Sequence, residues 1–398
     1  MTNRPSIISR LNALPKRKIA KWGAVGYVVV VIAGAFIGAE IALRSKTKWV
    51  KGTFVPVGRR GNSVYLPASP ETLSKGVIGM VPIAPNRGHA LLGEAKLAGT
   101  LVRREILRER GRIPDGSVAW ASTFVYNGTP AQLGVPFEPT VVHTDVGDMP
   151  AWFIPQLHGA GAAERGDAIA IVIHGHGGQR AQALRMLPTL MESGVASLFV
   201  TFRNAYGAPR IGKGYLSLGD QEAEDVLHAL AWAKERGFKR AVLYGFSMGG
   251  NIALCAVQRQ DRWPIPVTGV ILDCPALEWR DVMFSQGERY GLPRFLARPV
   301  ARLTELIVTR RSGQNFDTVD QLAAAPKFTL PMLLFHGTRD RTIPVRQSDK
   351  LAALRPDLVE YHRVEGAKHI RCWNISPKEY DGALLRFIEK VLLGVKGG

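Results

Sequence analysis

The stretch Lys239 to Ala256, KRAVLYGFSMGGNIALCA, leaves a chain little freedom in how it folds. Ala241 to Tyr244 is a short apolar run that reads as a buried strand. Gly245-Phe246-Ser247-Met248-Gly249 interrupts it, and after Gly250 an apolar stretch continues as a helix. A strand that turns straight into a helix with a serine at the apex forces that serine into a strained backbone conformation. The positions two before and two after it then have no room for side chains, and both are glycine, Gly245 and Gly249. Such a turn lifts the Ser247 hydroxyl clear of the sheet edge. It also sets the Met248 N–H at the start of a helix, aimed at the same point.

The neighbouring sequence supplies a sheet for this turn to stand on. Thr140 to Thr144 and Met149 to Pro155 alternate around Val146-Gly147-Asp148 and read as an antiparallel hairpin. Beyond them come apolar bursts at Ala168 to Ile173, Ala196 to Phe202, Ala241 to Tyr244, Thr268 to Leu272, Met332 to Phe335 and Val359 to Val364. Stretches of helical period separate them: Arg180 to Glu192, Asp220 to Arg236, Gly250 to Gln258, Arg346 to Leu354 and Pro377 to Leu393. Near-continuous apolar strands alternating with helices imply a mostly parallel sheet covered on both faces, with ligands at the carboxyl ends of the strands.

Those ends carry chemistry. After the first burst comes His174-Gly175-His176-Gly177-Gly178, after the fourth Asp273, after the fifth His336 and Asp340, and after the last His369. His174 and His176 could pair on a metal, but no further ligand follows at suitable spacing, so neither a metal site nor a cofactor is expected. A serine hydroxyl is a poor nucleophile until a base accepts its proton. An imidazole can do this and return the proton to a leaving group, and a carboxylate can hold the imidazole in the right tautomer.

With these residues the chain resembles the serine hydrolases of the α/β-hydrolase family, whose nucleophile elbow has the form G-x-S-x-G. The likeness covers about residues 137 to 395. It implies an α/β-hydrolase fold: a mostly parallel, doubly wound sheet with an antiparallel N-terminal hairpin and a small helical lid insertion. It also implies Ser247 as nucleophile, Asp340 as acid and His369 as base, in the family's chain order. The backbone N–H groups of His176 and Met248 are then the oxyanion donors. Asp273 stands where some members carry the acid and is the competitor to Asp340. In the family an insertion such as that at about 277–325 forms a lid, so an apolar acyl substrate is plausible. His336 and His362 read as strand-end or surface residues, and His89, His143, His158 and His228 as structural.

Ahead of this domain, Trp22 to Leu43 holds one charge, Glu40, in 22 positions. At about 1.5 Å per residue that is about 33 Å, enough for a hydrocarbon core of about 30 Å, so a transmembrane helix is expected. A cleaved signal peptide is the rival, with Ala33-Gly34-Ala35 as its small-residue site, but the apolar run continues well past it. Arg10, Lys16, Arg17, Lys18 and Lys21 flank one side, and Arg44, Lys46, Lys48, Lys51 and Arg59 the other, nearly a tie. A long C-terminal domain translocates largely regardless of nearby charge, so the expected single-pass arrangement puts the catalytic domain outside the cytoplasm. The expected organisation is thus a basic tail over 1–21, a transmembrane helix over 22–43, an accessory extension over 44–136 and the hydrolase domain over 137–395. In the extension, Thr53 to Val57, Ser63 to Leu66 and Val118 to Tyr126 read as strands, Leu91 to Glu109 as a helix and Asn127-Gly128 as a hairpin turn.

The net charge of +19 is local only in part: residues 1–51 hold ten Lys/Arg against one acid, +9, and the remaining +10 is spread over the rest. It forms no basic block interleaved with aromatics, so a membrane surface suits it better than nucleic acid. Cys255, Cys274 and Cys372 show no disulfide or zinc spacing. The expected function is a membrane-anchored serine hydrolase acting on a small or lipid-like carboxylic ester or amide. An acyltransferase with the same triad and a non-catalytic anchored binding module are the alternatives.

Overall fold

The computed structural model describes residues 16–45, 52–83, 88–156 and 166–393. The basic tail ahead of residue 16, Lys46, Lys48, Lys51 and His158 lie outside the described residues. Helix α1, Lys16–Leu43, leads into an antiparallel sheet of β1 (Thr53–Pro56), β2 (Gly58–Arg60), β3 (Ser63–Pro67), β4 (Ile78–Pro82), β5 (His89–Leu92), β6 (Lys96–Ala98), β7 (Leu101–Arg110) and β8 (Val118–Ser122). Its order is β1-β8-β4-β5-β7-β3-β2, with β6 on β7.

Here the helix expected over Leu91 to Glu109 is overturned: β5, β6 and β7 occupy it. Arg, Glu and Leu are good helix formers, and that composition misleads. In β7, LVRREILRER, every second residue from Val102 to Ile106 is buried and those between are exposed, which is the strand period. Arg104 takes one buried position because its guanidinium donates to the backbone carbonyls of Thr72, Ser74, Gly76 and Gly93. Asn127-Gly128 turns no hairpin either. The Gln132 side chain accepts from the Gly128 N–H at 3.1 Å, and a 3₁₀ turn at Pro130–Leu133 follows.

The second sheet runs β9-β10-β12-β11-β13-β14-β15-β16. Its strands are β9 (Glu138–Thr144), β10 (Gly147–Ile154), β11 (Ala168–Ile173), β12 (Ala196–Val200), β13 (Arg240–Phe246), β14 (Val267–Asp273), β15 (Met332–Gly337) and β16 (Val359–Val364). β9 and β10 are the antiparallel hairpin, and β12 to β16 pair in parallel. This is the α/β-hydrolase fold. In β11, AIAIVI, every residue is buried, with Ile169, Ile171 and Ile173 in one core and Ala168, Ala170 and Val172 in the other. Each buried isoleucine contributes about 1.5–3 kcal/mol of burial, so the strand is held from both sides. One face is covered by α3 (Glu222–Glu235) and α4 (Met248–Val257). The other is covered by α2 (Leu187–Glu192), which follows a 3₁₀ turn at Arg180–Met186, and by α10 (Pro377–Leu393).

Between β14 and β15 the chain inserts α5 (Trp279–Arg289), α6 (Arg294–Ser312) and the short α7 (Gln321–Ala324). Further along lie α8 (Arg346–Leu354) and α9 (Cys372–Ile375). The three cysteines are buried free thiols. The apolar part of α1, Trp22–Leu43, is long enough to cross a membrane. Its C-terminal half nevertheless packs on the protein, with Ala35, Ala39 and Leu43 fully buried.

Candidate active site

Ser247 lies between β13 and α4 with φ 55° and ψ −117°, a strained backbone that the surrounding packing enforces. A Cβ on Gly245 would run into the Gly249 carbonyl, and one on Gly249 into the Ile173 carbonyl, so both glycines are sterically required. The Ser247 N–H donates to the Asp273 carbonyl at 2.9 Å, and the Ala276 N–H to the Ser247 carbonyl at 3.1 Å, which pins the apex to the end of β14.

The acid loop follows β15. Asp340 Oδ1 accepts the N–H groups of Thr342 at 2.7 Å and Ile343 at 3.0 Å, which fixes the carboxylate and leaves Oδ2 free to face the histidines. The base loop follows β16, and the two loops are stitched together by Arg339 N–H to Ala367 O at 2.9 Å and Gly366 N–H to Thr338 Oγ1 at 2.8 Å. In that frame His369 donates from Nδ1 to Asp340 Oδ2 at 2.6 Å and accepts the Ser247 hydroxyl at Nε2 at 3.0 Å. The structure therefore brings together the three side chains singled out in the sequence. Burial alone would raise the Asp340 pKa, but the charge of His369 and hydrogen bonds from His336 and His369 outweigh it and hold the carboxyl well below its ordinary range.

Asp273 is also fully buried, but its partners are different: the Tyr380 hydroxyl at 3.1 Å and the Arg185 guanidinium at 3.8 Å. His336 stands at the end of β15, the strand-end position read from the sequence. It is inaccessible to solvent, accepts from Ser348 Oγ at Nδ1 at 2.7 Å, donates from Nε2 to the Ile343 carbonyl at 3.1 Å, and stands 3.3 Å from Asp340 Oδ2. Its position four residues before Asp340 was the available signal.

The loop after β11 closes on Ser247, since a Cβ at Gly175 would stand 3.0 Å from the serine's own. Within it the Gly175 N–H donates to Gln182 Oε1 and the Gly178 N–H to the Gly175 carbonyl, both at 2.9 Å. Met248 is the first residue of α4, where an N–H has no carbonyl one turn back to bond. The His174 ring stacks on Phe202, and burial lowers its pKa to about 4, so it is neutral near pH 7. His176 donates from Nε2 to the Ala42 carbonyl near the end of α1 at 3.2 Å.

Two further sets of contacts carried no sequence signal. On α5, Gln286 Nε2 donates to the Thr342 carbonyl at 2.7 Å, which ties the insertion to the acid loop. The N-terminal sheet grips the segment after His369: Asn374 Nδ2 donates to the carbonyls of Val77 at 2.7 Å and Thr123 at 2.8 Å, and the Val77 N–H returns to the Asn374 carbonyl at 2.7 Å. The Arg371 guanidinium lies 3.9 Å over the Phe124 ring.

Residues 204–393, just under half of the chain, match the prolyl oligopeptidase family. The uncharacterized protein YfhR of Salmonella typhimurium is 25% identical over 277 residues, covering 67% of this chain and 85% of that protein. A Pyrococcus furiosus esterase aligns with a TM-score of 0.51 at 21% identity, over 67% of this chain and 95% of that one. A Mycobacterium tuberculosis puromycin-hydrolyzing peptidase aligns with a TM-score of 0.50 at 16% identity, over 87% of this chain and 48% of that one. The solved structures share the fold.

Proposed function

We propose that this chain, which is a serine hydrolase of the α/β-hydrolase fold, cleaves carboxylic esters or amides through an acyl-enzyme on Ser247, His369 and Asp340 while α1 anchors it to a membrane. One observation carries the reading: the unbroken relay from the Ser247 hydroxyl through the His369 ring to a carboxylate already held by two backbone N–H groups. Ser247 Oγ attacks the carbonyl carbon as His369 Nε2 takes its proton. Asp340 keeps Nδ1 protonated and stabilises the imidazolium that forms. The backbone N–H groups of His176 and Met248 receive the oxyanion, each such donor being worth about 10²–10³ in kcat. His369 then gives its proton to the leaving alcohol or amine, and the C–O or C–N bond breaks. A water deprotonated by the same ring attacks the acyl-enzyme, which releases the acid and regenerates Ser247.

Exposed apolar side chains on the insertion, Tyr290 and Phe295, and the apolar surface of α1 favour a lipid-like acyl group. Anchoring through α1 has two geometries. A helix that crosses the bilayer places the catalytic domain across the membrane from the basic tail, on the extracytoplasmic side. A helix lying in the plane keeps both on one side. A fluorophosphonate probe tests the enzymatic reading: it should label the wild-type chain and fail on Ser247→Ala. A panel of matched esters and amides, with and without an added alcohol, reads hydrolysis against acyl transfer. No labelling of a folded wild-type chain would defeat the proposal.

A further inference from the structure

Helix α1 does not stand clear of the protein. Gly34 and Gly38 leave so little space that a Cβ on either would press on Val300 or Thr304 of α6. Thr304 Oγ1 donates to the Ala35 carbonyl at 3.4 Å. The Tyr27 hydroxyl reaches the Phe295 carbonyl at 3.5 Å near one end, and Glu40 pairs with Arg311 near the other. Partner numbers rise together, from 27 with 295 to 40 with 311, so the helices run parallel, side by side, over about 20 Å. Small residues at four-residue spacing permit that close approach.

The open faces of the pair have one character. α1 exposes Ile32, Phe36 and Ile37, while α6 exposes Phe295 and Leu306. Arg298, Arg302 and Arg310 are exposed on α6 and have no carboxylate partner among the described residues. On α6 the spacing 295, 298, 302, 306 follows one side of a helix, so the apolar pair shares a face with its arginines.

This packing restricts how α1 can meet a bilayer. If α1 crossed along the normal, α6 would be carried in beside it. Arg298 and Arg302, level with the middle of α1, would then lie in hydrocarbon, where arginine is strongly disfavoured. Laid in the interface, the same pair puts its apolar side chains at the acyl boundary and its arginines level with lipid phosphates. The pair is also bonded to the active site at one end. Ala42 O accepts from His176 at 3.2 Å, Leu43 O accepts from the Leu216 N–H at 2.8 Å, and α5 reaches the acid loop through Gln286.

We propose that α1 and α6 form one two-helix plate that lies in the headgroup region of an anionic membrane instead of α1 crossing it, with Arg298, Arg302 and Arg310 on lipid phosphates. The active-site mouth then opens onto that leaflet. Only this last clause rests on the hydrolase reading above. The test uses the full chain added to preformed sealed vesicles of phosphatidylcholine with or without phosphatidylglycerol. Cysteines introduced by Ser9→Cys, ahead of α1, and Asp261→Cys, exposed on the catalytic domain, are challenged with a membrane-impermeant maleimide. Both should label before detergent is added. Labelling of Ser9→Cys only after detergent means α1 crosses, and the proposal fails. An environment-sensitive dye on Leu306→Cys should be shielded from an aqueous quencher on anionic vesicles, and roughly tenfold less so when Arg298, Arg302 and Arg310 are all changed to Gln. A dye equally quenched on both lipids, or unaffected by that triple change, also overturns the plate. Fluorophosphonate labelling of each variant reports an intact site independently. Its loss in every variant and in the wild-type chain would strike the hydrolase reading and leave the plate standing.

Discussion

Asp273 ends β14 and Asp340 follows the neighbouring strand β15 of the same sheet, and both side chains are inaccessible to solvent. Their surroundings nevertheless make them different groups. Asp340 faces the imidazoles of His336 and His369. Asp273 faces the Arg185 guanidinium, whose charge is fixed, and the Tyr380 phenol. Burial alone therefore does not assign a carboxylate its task. The partner does, and on that ground we assign Asp340 to the proposed proton relay and Asp273 to the frame beneath it.

The largest effect expected from this contrast is on turnover. Asp340→Asn keeps the shape but offers His369 Nδ1 an amide and favours the wrong tautomer, so kcat should fall about 10⁴-fold with KM little changed. The same assay on Asp273→Asn should stay within about tenfold of wild type per folded molecule, counted by active-site titration. If the two results exchange places, the assignment of the acid is reversed. Second in size is a stability effect confined to the other carboxylate. Asp273→Asn leaves the Arg185 guanidinium buried without its counter-charge, which should cost about 3–5 kcal/mol, read as a lower denaturant midpoint. A midpoint unchanged from wild type would mean the pair at 3.8 Å is no ion pair in solution.

A third measurement sharpens the contrast through pH. The Asp340 carboxyl is held well below its unfolded value, so its ionised, paired form stabilises the fold at every pH above that value. As pH falls below about 4 the unfolded chain takes up this proton first, and the contribution drains away. Unfolding free energy of the wild-type chain should therefore drop more steeply between roughly pH 4 and pH 2 than that of Asp340→Asn, by about one proton per molecule. Parallel slopes would break the claim that the histidines hold this carboxylate ionised.

How much of this was legible in the sequence follows from what each residue's position depends on. Ser247 and its glycines could be read because the constraint is local: two residues either side collide with backbone when they carry a Cβ. The strands of the second sheet could be read because burial on both faces makes them continuously apolar. β7 could not, because its exposed face is built of Arg and Glu, residues that also favour helices, while its buried face holds a full guanidinium. The seating of α1 on α6 was hidden because Gly34 and Gly38 read equally as a feature of a helix in lipid. The partners of His336 were hidden because Ser348 and the Ile343 carbonyl are groups with no marked pattern. Long-range partners, in short, decided what local pattern left open.

The smallest expected effect isolates a single hydroxyl in the frame under Asp273. Tyr244 and Tyr380 are joined hydroxyl to hydroxyl at 2.6 Å, and Tyr380 passes a hydrogen bond on to Asp273 Oδ2 at 3.1 Å. The Tyr380 ring also stacks on Phe335 of β15, with centroids 3.8 Å apart, and Tyr380→Phe keeps that contact. What it removes is one donor to Asp273 and the partner of the Tyr244 hydroxyl, both fully buried. An unsatisfied buried hydroxyl costs about 1–3 kcal/mol, and Asp273 retains Arg185, so a loss near the low end is expected, about 1–2 kcal/mol, with kcat unchanged. Tyr244→Phe breaks the same hydrogen bond from its other end, so the double variant should lose less than the sum of the two single losses. Strict additivity would show that the two phenols act separately. A fall in kcat in either single variant would place the tyrosines, and Asp273 with them, inside the proton relay that the contrast with Asp340 assigns elsewhere.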